Sequence, residues 1–593
     1  MKKCLILNAD HTDWPKGYGY IFLGQWCLEN LDNSLINQGM YETVKIKAKN
    51  IDEMNNRFHM ITKAYKMALS LISKNLNKIH KINFSEKSWE IIVGPWLKQT
   101  LGIIAERYRS IEIALDNYEF DFVQVSKTCD ISNASTGELV KTKNRKIIEF
   151  WNYNIYSKII YYISDKKKFI KKNKELKNES TKFYQKLNFK LFIKKIFIFV
   201  TNFFNQHSKF TIYKLNLSFF NQLKLFFYLR QIPKIIEASN YKYKKIDRNL
   251  RKDFFFEYTE VKNFENFILS IMPDLLPTDF VENFEYIKKN SLRLNNYCNS
   301  KAIITSYGFT NDEVFKTWLS FNSDKLSYFV FQHGNNYFTN KNSHQIQADL
   351  DLTDKFFSWG EENGSRQNVV PFYNLNNFGL NRINMSTNNK IFIYARGINS
   401  VRFRPWDDYD GVVESFFGIK ELINNLDDSL KKFCYLKLYP HNDEKFKKKI
   451  FNEILNEKIN ILPIQTSKKN IYKESKIIVQ SGDTSAFLET LSANIPTITY
   501  IKNFDLVRDS AVDDYEKLKK VGIIFDNPVN LAKHINENYK NINKWWDNKA
   551  VIDARENFVK KYSRKTPKNL NLLKSMAQIL NSSLNDSFES NEK

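Results

Sequence analysis

Residues Ser475–Tyr500 read SKIIVQSGDTSAFLETLSANIPTITY. Ile477-Ile478-Val479 is a short apolar run with the look of a β-strand, and it stops at Gln480-Ser481-Gly482-Asp483-Thr484-Ser485. Phe487, Leu488 and Leu491 then share one face of a helix, which Asn494 and Pro496 end before a second β run, Ile498-Thr499-Tyr500. The order strand, polar turn, helix, strand is a βαβ unit, so an α/β fold with parallel strands is expected. The turn leaves its strand and opens a helix, where free N–H groups, hydroxyls and the helix dipole can cradle a phosphate. An alternative stands beside it: Asp483 or Thr484 simply caps the helix.

Two further patches bear on that choice. Gln332-His333-Gly334 follows the β-rich run Ser327–Phe331, and Leu438-Tyr439-Pro440-His441 follows the β-rich Phe433–Leu438. The chain has eight histidines, and two of them fall just past predicted strands, where open α/β sheets bind ligands. Arg396-Gly397 ends the predicted strand Ile391–Ala395 and suits a phosphate-facing turn, with a surface arginine as the alternative.

With these motifs in place the chain resembles the GT-B glycosyltransferases of bacterial surface polysaccharides, and more closely a family of O-antigen-type surface-polysaccharide transferases. The resemblance runs through Phe22-Leu23-Gly24-Gln25-Trp26-Cys27-Leu28, Gly94-Pro95-Trp96-Leu97, Gln332-His333-Gly334, Leu438–His441, Phe487–Ile498 and Trp545-Trp546. It spans residues 20 to 560. It implies two Rossmann-like lobes (GT-B-like) with a cleft between them, and no cofactor beyond a nucleotide-sugar co-substrate. Where relatives continue the histidine turn with glycine, this chain has Asn335-Asn336-Tyr337.

On this reading Ser481, Gly482, Asp483, Thr484 and Ser485, with Arg396, bind the donor. His441 assists the departing phosphate, and His333 is the base or orienter of the acceptor hydroxyl. A histidine near its ordinary pKa of about 6.5 does that work without large tuning. Glu489 resembles the glutamate that holds the nucleotide ribose in related transferases. Gly24, Trp26, Gly334 and Glu313 are placed on the acceptor side, Glu313 as a rival base. The resemblance leaves the donor open among cytidine-, uridine- and guanosine-linked sugars. A more distant likeness to teichoic-acid glycerophosphotransferases makes a CDP-polyol phosphotransferase the alternative, and a non-catalytic membrane-surface or nucleic-acid scaffold a second one.

Length and charge fill in the rest. A chain of 593 residues exceeds one core, and the divisions read as 1–140 and 251–380 for the first lobe, 381–540 for the nucleotide-binding lobe, and 541–593 for closing helices with a loose tail from Asn581. Residues 141–250 hold 26 Lys/Arg against 6 Asp/Glu, which is 20 of the chain's 25 excess positive charges. Aromatics interleave with these lysines, so the segment reads as a basic helical insertion in the first lobe. Ser180–Ile236 holds no acid and suits an anionic membrane surface, with a solvated basic face as the alternative; no nucleic acid is expected. Five scattered cysteines without C-x-x-C spacing fit a reducing compartment and argue against a zinc site or a disulfide framework. No run of 18 apolar residues occurs, so the expectation is a cytoplasmic enzyme, peripheral on the inner face of the membrane. Asp408-Tyr409-Asp410 forms a D-x-D but follows no clear strand, so it reads as a loop and no metal is expected. Trp89–Val93 reads as a further strand, with Gly94 in a turn after it, and Asp513-Asp514 as a helix start.

Overall fold

Three parallel sheets follow one another along the chain. The computed structural model describes residues 2–10, 13–28, 41–46, 51–132, 145–164, 168–172, 196–201, 207–237, 244–254, 256–295, 299–307, 312–334, 337–341, 349–362, 366–378, 388–395, 409–438, 459–463, 465–502 and 504–591. The first sheet contains β1 (Lys3–Ile6), β2 (Gly19–Phe22), β3 (Tyr41–Thr43), β4 (Phe122–Ser126) and β5 (Lys168–Lys172), in spatial order β3-β2-β1-β4-β5. The second contains β6 (His207–Tyr213), β7 (Ile235–Ile236), β8 (Asn299–Thr305), β9 (Ser327–Phe331), β10 (Lys355–Ser358) and β11 (Val369–Pro371), in order β11-β10-β9-β8-β6-β7. The third contains β12 (Lys390–Tyr394), β13 (Cys434–Lys437), β14 (Asn460–Ile461), β15 (Ser475–Gln480), β16 (Thr497–Tyr500) and β17 (Ile524–Phe525), in order β14-β13-β12-β15-β16-β17.

The α/β expectation with two Rossmann-like lobes is borne out by the second and third sheets. In the third, strand order reverses between β12 and β15, and in the second between β6 and β8. Crevices at such switch points, outside the carboxyl ends of the strands, are where open α/β sheets take ligands. Strands β9 and β15 are apolar on both faces and nearly fully buried, as parallel strands covered by helices must be.

The basic segment 141–250 differs from the expected helical insertion. It does carry helices, at Arg145–Ile163 and Phe219–Tyr228, but it also supplies β5, the edge of the first sheet, and β6 and β7 of the second. Lysines interleaved with aromatics look alike on an amphipathic helix and on an edge strand. In β5, Lys-Phe-Ile-Lys-Lys, the lysines guard an exposed edge. Residues 180–195 and 202–206 of the acid-free stretch lie outside the described residues.

Three smaller expectations change. Trp89–Val93 is helical, within Glu86–Asn117, and Gly94 and Pro95 lie inside that helix. Ser85 caps it by accepting from the Ser88 N–H, and Trp89, Ile92, Val93 and Trp96 bury at helical spacing. Gly94 serves packing: a Cβ there would lie 2.7 Å from the Tyr65 hydroxyl. Asp513-Asp514 sits within the helix Asp509–Lys520 and does not begin it. The tail from Asn581 stays helical to Asn591, with Leu580 and Leu584 buried against the second sheet.

That last helix belongs to a crossing that ties the lobes. After the helix Lys549–Tyr562, the Arg564 N–H donates to the Trp359 carbonyl (2.6 Å), and the Arg564 carbonyl accepts from Asn374 N–H (2.9 Å). Gly360, at φ 123°, lets this segment approach, since a Cβ would stand 2.5 Å from the Lys560 carbonyl. Among the described residues no helix is long and apolar enough to cross a membrane.

Candidate active site

The turn after β15 is built from interlocking short-range bonds. Thr484 is the cap of the helix Ser485–Ser492: its hydroxyl accepts from the Phe487 N–H at 3.2 Å and donates to Gln480 Oε1 at 3.2 Å. The capping alternative thus holds for Thr484. Ser481 is 3 % exposed, with its N–H on the Tyr394 carbonyl. Asp483 accepts from the Tyr515 hydroxyl at 2.8 Å, which fixes the turn to the helix behind it. Gly482 holds φ 133°, where a side chain would strain the backbone. Ser485 opens the helix, half-buried.

Facing it is the turn after β9. Gln332 knits this turn: its Nε2 donates to the Gly334 carbonyl (2.8 Å), and its Oε1 accepts from Trp359 N–H (2.7 Å). A Cβ placed on Gly334 would come within 3.3 Å of Ser485 Oγ. The His-Gly turn of one lobe therefore lies against the helix opening of the other.

His333 has a partner chain that the sequence reading missed. Its Nδ1 lies 3.2 Å from the Tyr337 hydroxyl, which donates to Asp349 Oδ2 at 2.5 Å. With Tyr337's one proton directed at Asp349, its oxygen is left to accept from Nδ1 when that nitrogen carries the ring proton. Burial pushes His333 down to about 4, against a hydrogen bond to the Ser306 backbone, so the ring is neutral at physiological pH. This departs from the expected untuned histidine. Burial also lifts Asp349 to about 6, opposed by the Tyr337 hydrogen bond and the charge of Lys98. Tyr337 belongs to the Asn335-Asn336-Tyr337 stretch that stands where relatives were expected to continue the turn with glycine.

Glu489 sits one helical turn beyond Ser485, and its carboxylate is engaged within the protein. Asn376 Nδ2 donates to Oε1 (2.7 Å), while Lys468 Nζ (2.6 Å) and the Tyr472 hydroxyl (3.4 Å) reach Oε2. Asn376 Nδ2 also reaches the His333 carbonyl (3.2 Å), and its Oδ1 accepts from Asn216. Asn377 Nδ2 holds the Glu489 carbonyl at 2.7 Å. Glu489 thus ties the His333 turn to the Ser485 helix, a role that reading it as a ribose ligand did not anticipate.

At the switch point, Gln480 and Tyr394 are register partners at the ends of β15 and β12. Gln480 Nε2 and the Tyr394 hydroxyl are buried and make no hydrogen bond among the described residues. Unpaired buried donors at a strand-end crevice are what a bound polar ligand would satisfy.

The other expected residues fall elsewhere. Glu313 is 1 % exposed and paired with Lys316 (2.7 Å), whose ammonium also reaches the Ile92 carbonyl (2.9 Å), so it is not placed as an acceptor base. Gly24 lies under the Trp26 ring, which stacks on Tyr156 (6.0 Å) and packs against the core of the third sheet. These two residues seat the first sheet on the lobe of the third sheet. His441, Arg396 and Asp407-Asp408 lie outside the described residues.

Two Rossmann-like lobes meeting at facing strand-end turns place the protein in the GT-B-like class of two-lobed α/β enzymes. The chain belongs to the LIC12162 family of transferases, whose family model matches residues 3–576. No curated protein matches it significantly. Among solved structures it is similar to S. aureus MnaA determined with UDP, at 12% identity over 64% of this chain and 97% of that one, with a TM-score of 0.37. It is also similar to Acinetobacter baumannii MurG, at 10% identity over 63% of this chain and 99% of that one, TM-score 0.31. A third is the spinosyn rhamnosyltransferase SpnG, at 9% identity over 63% of this chain and 100% of that one, TM-score 0.32.

Proposed function

We propose that this transferase moves a sugar from a nucleotide-sugar donor to a surface-polysaccharide or lipid-linked glycan acceptor, at the cytoplasmic face of the membrane. The observation that carries the reading is the approach of Gly334 to Ser485, which sets a neutral histidine beside a helix opening at a Rossmann switch point. The donor phosphate takes the N-terminus of the helix Ser485–Ser492 and the Ser485 hydroxyl. Gln480 Nε2 and the Tyr394 hydroxyl, buried at the paired strand ends beside this turn, are further candidate polar contacts. Asp483 and Thr484 shape the turn and are not ligands themselves.

The neutral His333 ring accepts the proton of the acceptor hydroxyl as its oxygen bonds the anomeric carbon. The bond from that carbon to the phosphate oxygen breaks, and its electron pair leaves on the phosphate. The helix N-terminus stabilises that charge. A ring with a low pKa is a weak base, so its proton transfer is concerted with attack; ionised Asp349, through Tyr337, stabilises the imidazolium as it forms. His441 donating to the leaving phosphate belongs to the same proposal.

A thermal-shift screen of CMP, CDP, UDP and GDP tests the donor side, because a nucleotide that binds the native state raises its stability by RT ln(1 + [L]/Kd). Absence of any shift at saturating nucleotide would overturn the reading. Product mass tests the chemistry: a sugar adds no phosphorus, whereas polyol-phosphate transfer leaves a phosphodiester.

A further inference from the structure

The helix Phe219–Tyr228 buries Leu225 and Phe226 against the second sheet and turns another face outward. On that face Phe220 is 75% exposed and Phe227 78% exposed, with exposed Lys224 between them at helical spacing. The neighbouring segment 196–201 adds Phe199, 67% exposed, with Ile196 and Val200 also exposed. Packing of Phe197 on Phe219, ring centroids 5.8 Å apart, joins the two into one patch. Single exposed apolar residues are ordinary, but a contiguous aromatic patch marks a contact surface.

Charge says what covers it. The sequence from 196 to 236 contains no acid, and Lys209, Lys224 and Arg230 are exposed. At the helix C-terminus, Tyr228 is held by Asn571 (2.6 Å), and exposed Lys574 lies one turn beyond Asn571. Aromatics that enter a bilayer interface, with cations and no acid in their own stretch of chain, complement an anionic lipid surface.

We infer that the Phe199–Phe220–Phe227 face docks the protein on an anionic bilayer, with the phenylalanines in the headgroup boundary and Lys224 and Arg230 on lipid phosphates. The position of the helix serves the cleft. Its cap, Ser218, is two residues from Asn216, which bonds the Asn376 that holds Glu489 and the His333 carbonyl. Docking this face brings the start of the helix, two residues from that network, toward the lipid surface. The inference rests on the surface alone and stands whatever group the enzyme transfers.

The test is co-sedimentation of the full chain with phosphatidylcholine vesicles, with and without phosphatidylglycerol. Binding is expected with the anionic lipid and is expected to weaken as salt is raised. Phe220→Ser with Phe227→Ser should weaken it about tenfold per phenylalanine. Lys224→Gln with Arg230→Gln should weaken it about fivefold per charge. All four positions are exposed, so the thermal midpoint should stay near that of the parent; were the phenylalanine variant to unfold, the charge variant would decide. Equal binding to neutral vesicles, or unchanged binding by a folded variant, overturns the inference. So does a concentration-dependent dimer that the phenylalanine variant dissolves, since a second copy would then be the occupant.

Discussion

Gly334 approaches Ser485 so closely that an added Cβ would stand 3.3 Å from Ser485 Oγ. The two residues belong to different sheets, and their contact defines the cleft. Gly334→Ala should press on the hydroxyl and lower transfer about tenfold; Gly334→Val should cost about 10²-fold, the scale expected when reacting groups are displaced by about 1 Å. Both turns are half-buried and open to the cleft, so the thermal midpoint should change little. Steady-state kinetics beside a melting curve checks this: full activity in Gly334→Val would mean that the turns do not meet in the working enzyme.

Thr484 and Ser485 separate stability from binding. The Thr484 hydroxyl is spent on the cap, so Thr484→Ala should cost about 1 kcal/mol of stability, within the usual range for caps. Ser485→Ala should leave stability near that of the parent but weaken nucleotide binding about tenfold or more, as for loss of a hydrogen bond to a charged group. Urea unfolding paired with nucleotide titration distinguishes them. Equal nucleotide affinity in Ser485→Ala would remove the phosphate assignment.

The tie through Glu489 predicts a different signature. Both carboxylate oxygens accept hydrogen bonds, from Asn376 on one side and Lys468 on the other. Lys468 is partly exposed, so its share is screened, and Asn376→Ala is the cleaner probe. It leaves Glu489 Oε1 and the His333 carbonyl short of a donor and should cost about 1–3 kcal/mol. Acceptor transfer should fall more than nucleotide binding, because the residue holds the turn of His333. A variant that lost nucleotide binding and kept the ratio of transfer to donor hydrolysis would place Asn376 in the donor pocket instead.

Local order was legible in the sequence wherever the signal was local. Strand β9 and the histidine turn after it, and β15 with its capped helix, follow from apolar runs ended by small polar residues. Trp89–Val93 misled because a helix buried all round shows no polar stripe, and Gly94-Pro95 looks like a turn until Tyr65 is seen against Gly94. The partners of His333 and Glu489 were less accessible. Asp349 is 16 residues beyond His333, and Asn376 is 43 residues beyond it, with no local pattern that joins them. One signal was available: Tyr337 stands four residues after His333, within the Asn335-Asn336-Tyr337 stretch that replaces the expected glycine-rich continuation.

The His333–Tyr337–Asp349 relay predicts opposite pH responses from its two ends. Asp349 moves from 3.8 to about 6 on folding, so the folded state holds its proton more tightly. Its contribution is present below pH 3.8 and is lost as pH rises through about 6. His333 moves from 6.5 to about 4, so its contribution is present above 6.5 and is lost as pH falls through about 4. The two nearly cancel in the parent. Asp349→Asn removes one, so its stability relative to the parent should improve by about 1–3 kcal/mol between pH 4 and 7, after discount for partial exposure. His333→Ala should show the reverse trend, and urea unfolding at the two pH values reads both. In catalysis the acid limb of kcat/KM should follow Asp349 near pH 6, and Asp349→Asn should flatten it while lowering the rate. Tyr337→Phe breaks the connection and should also uncouple the limb from Asp349. An unchanged limb in both variants would show that the relay does not set the titration.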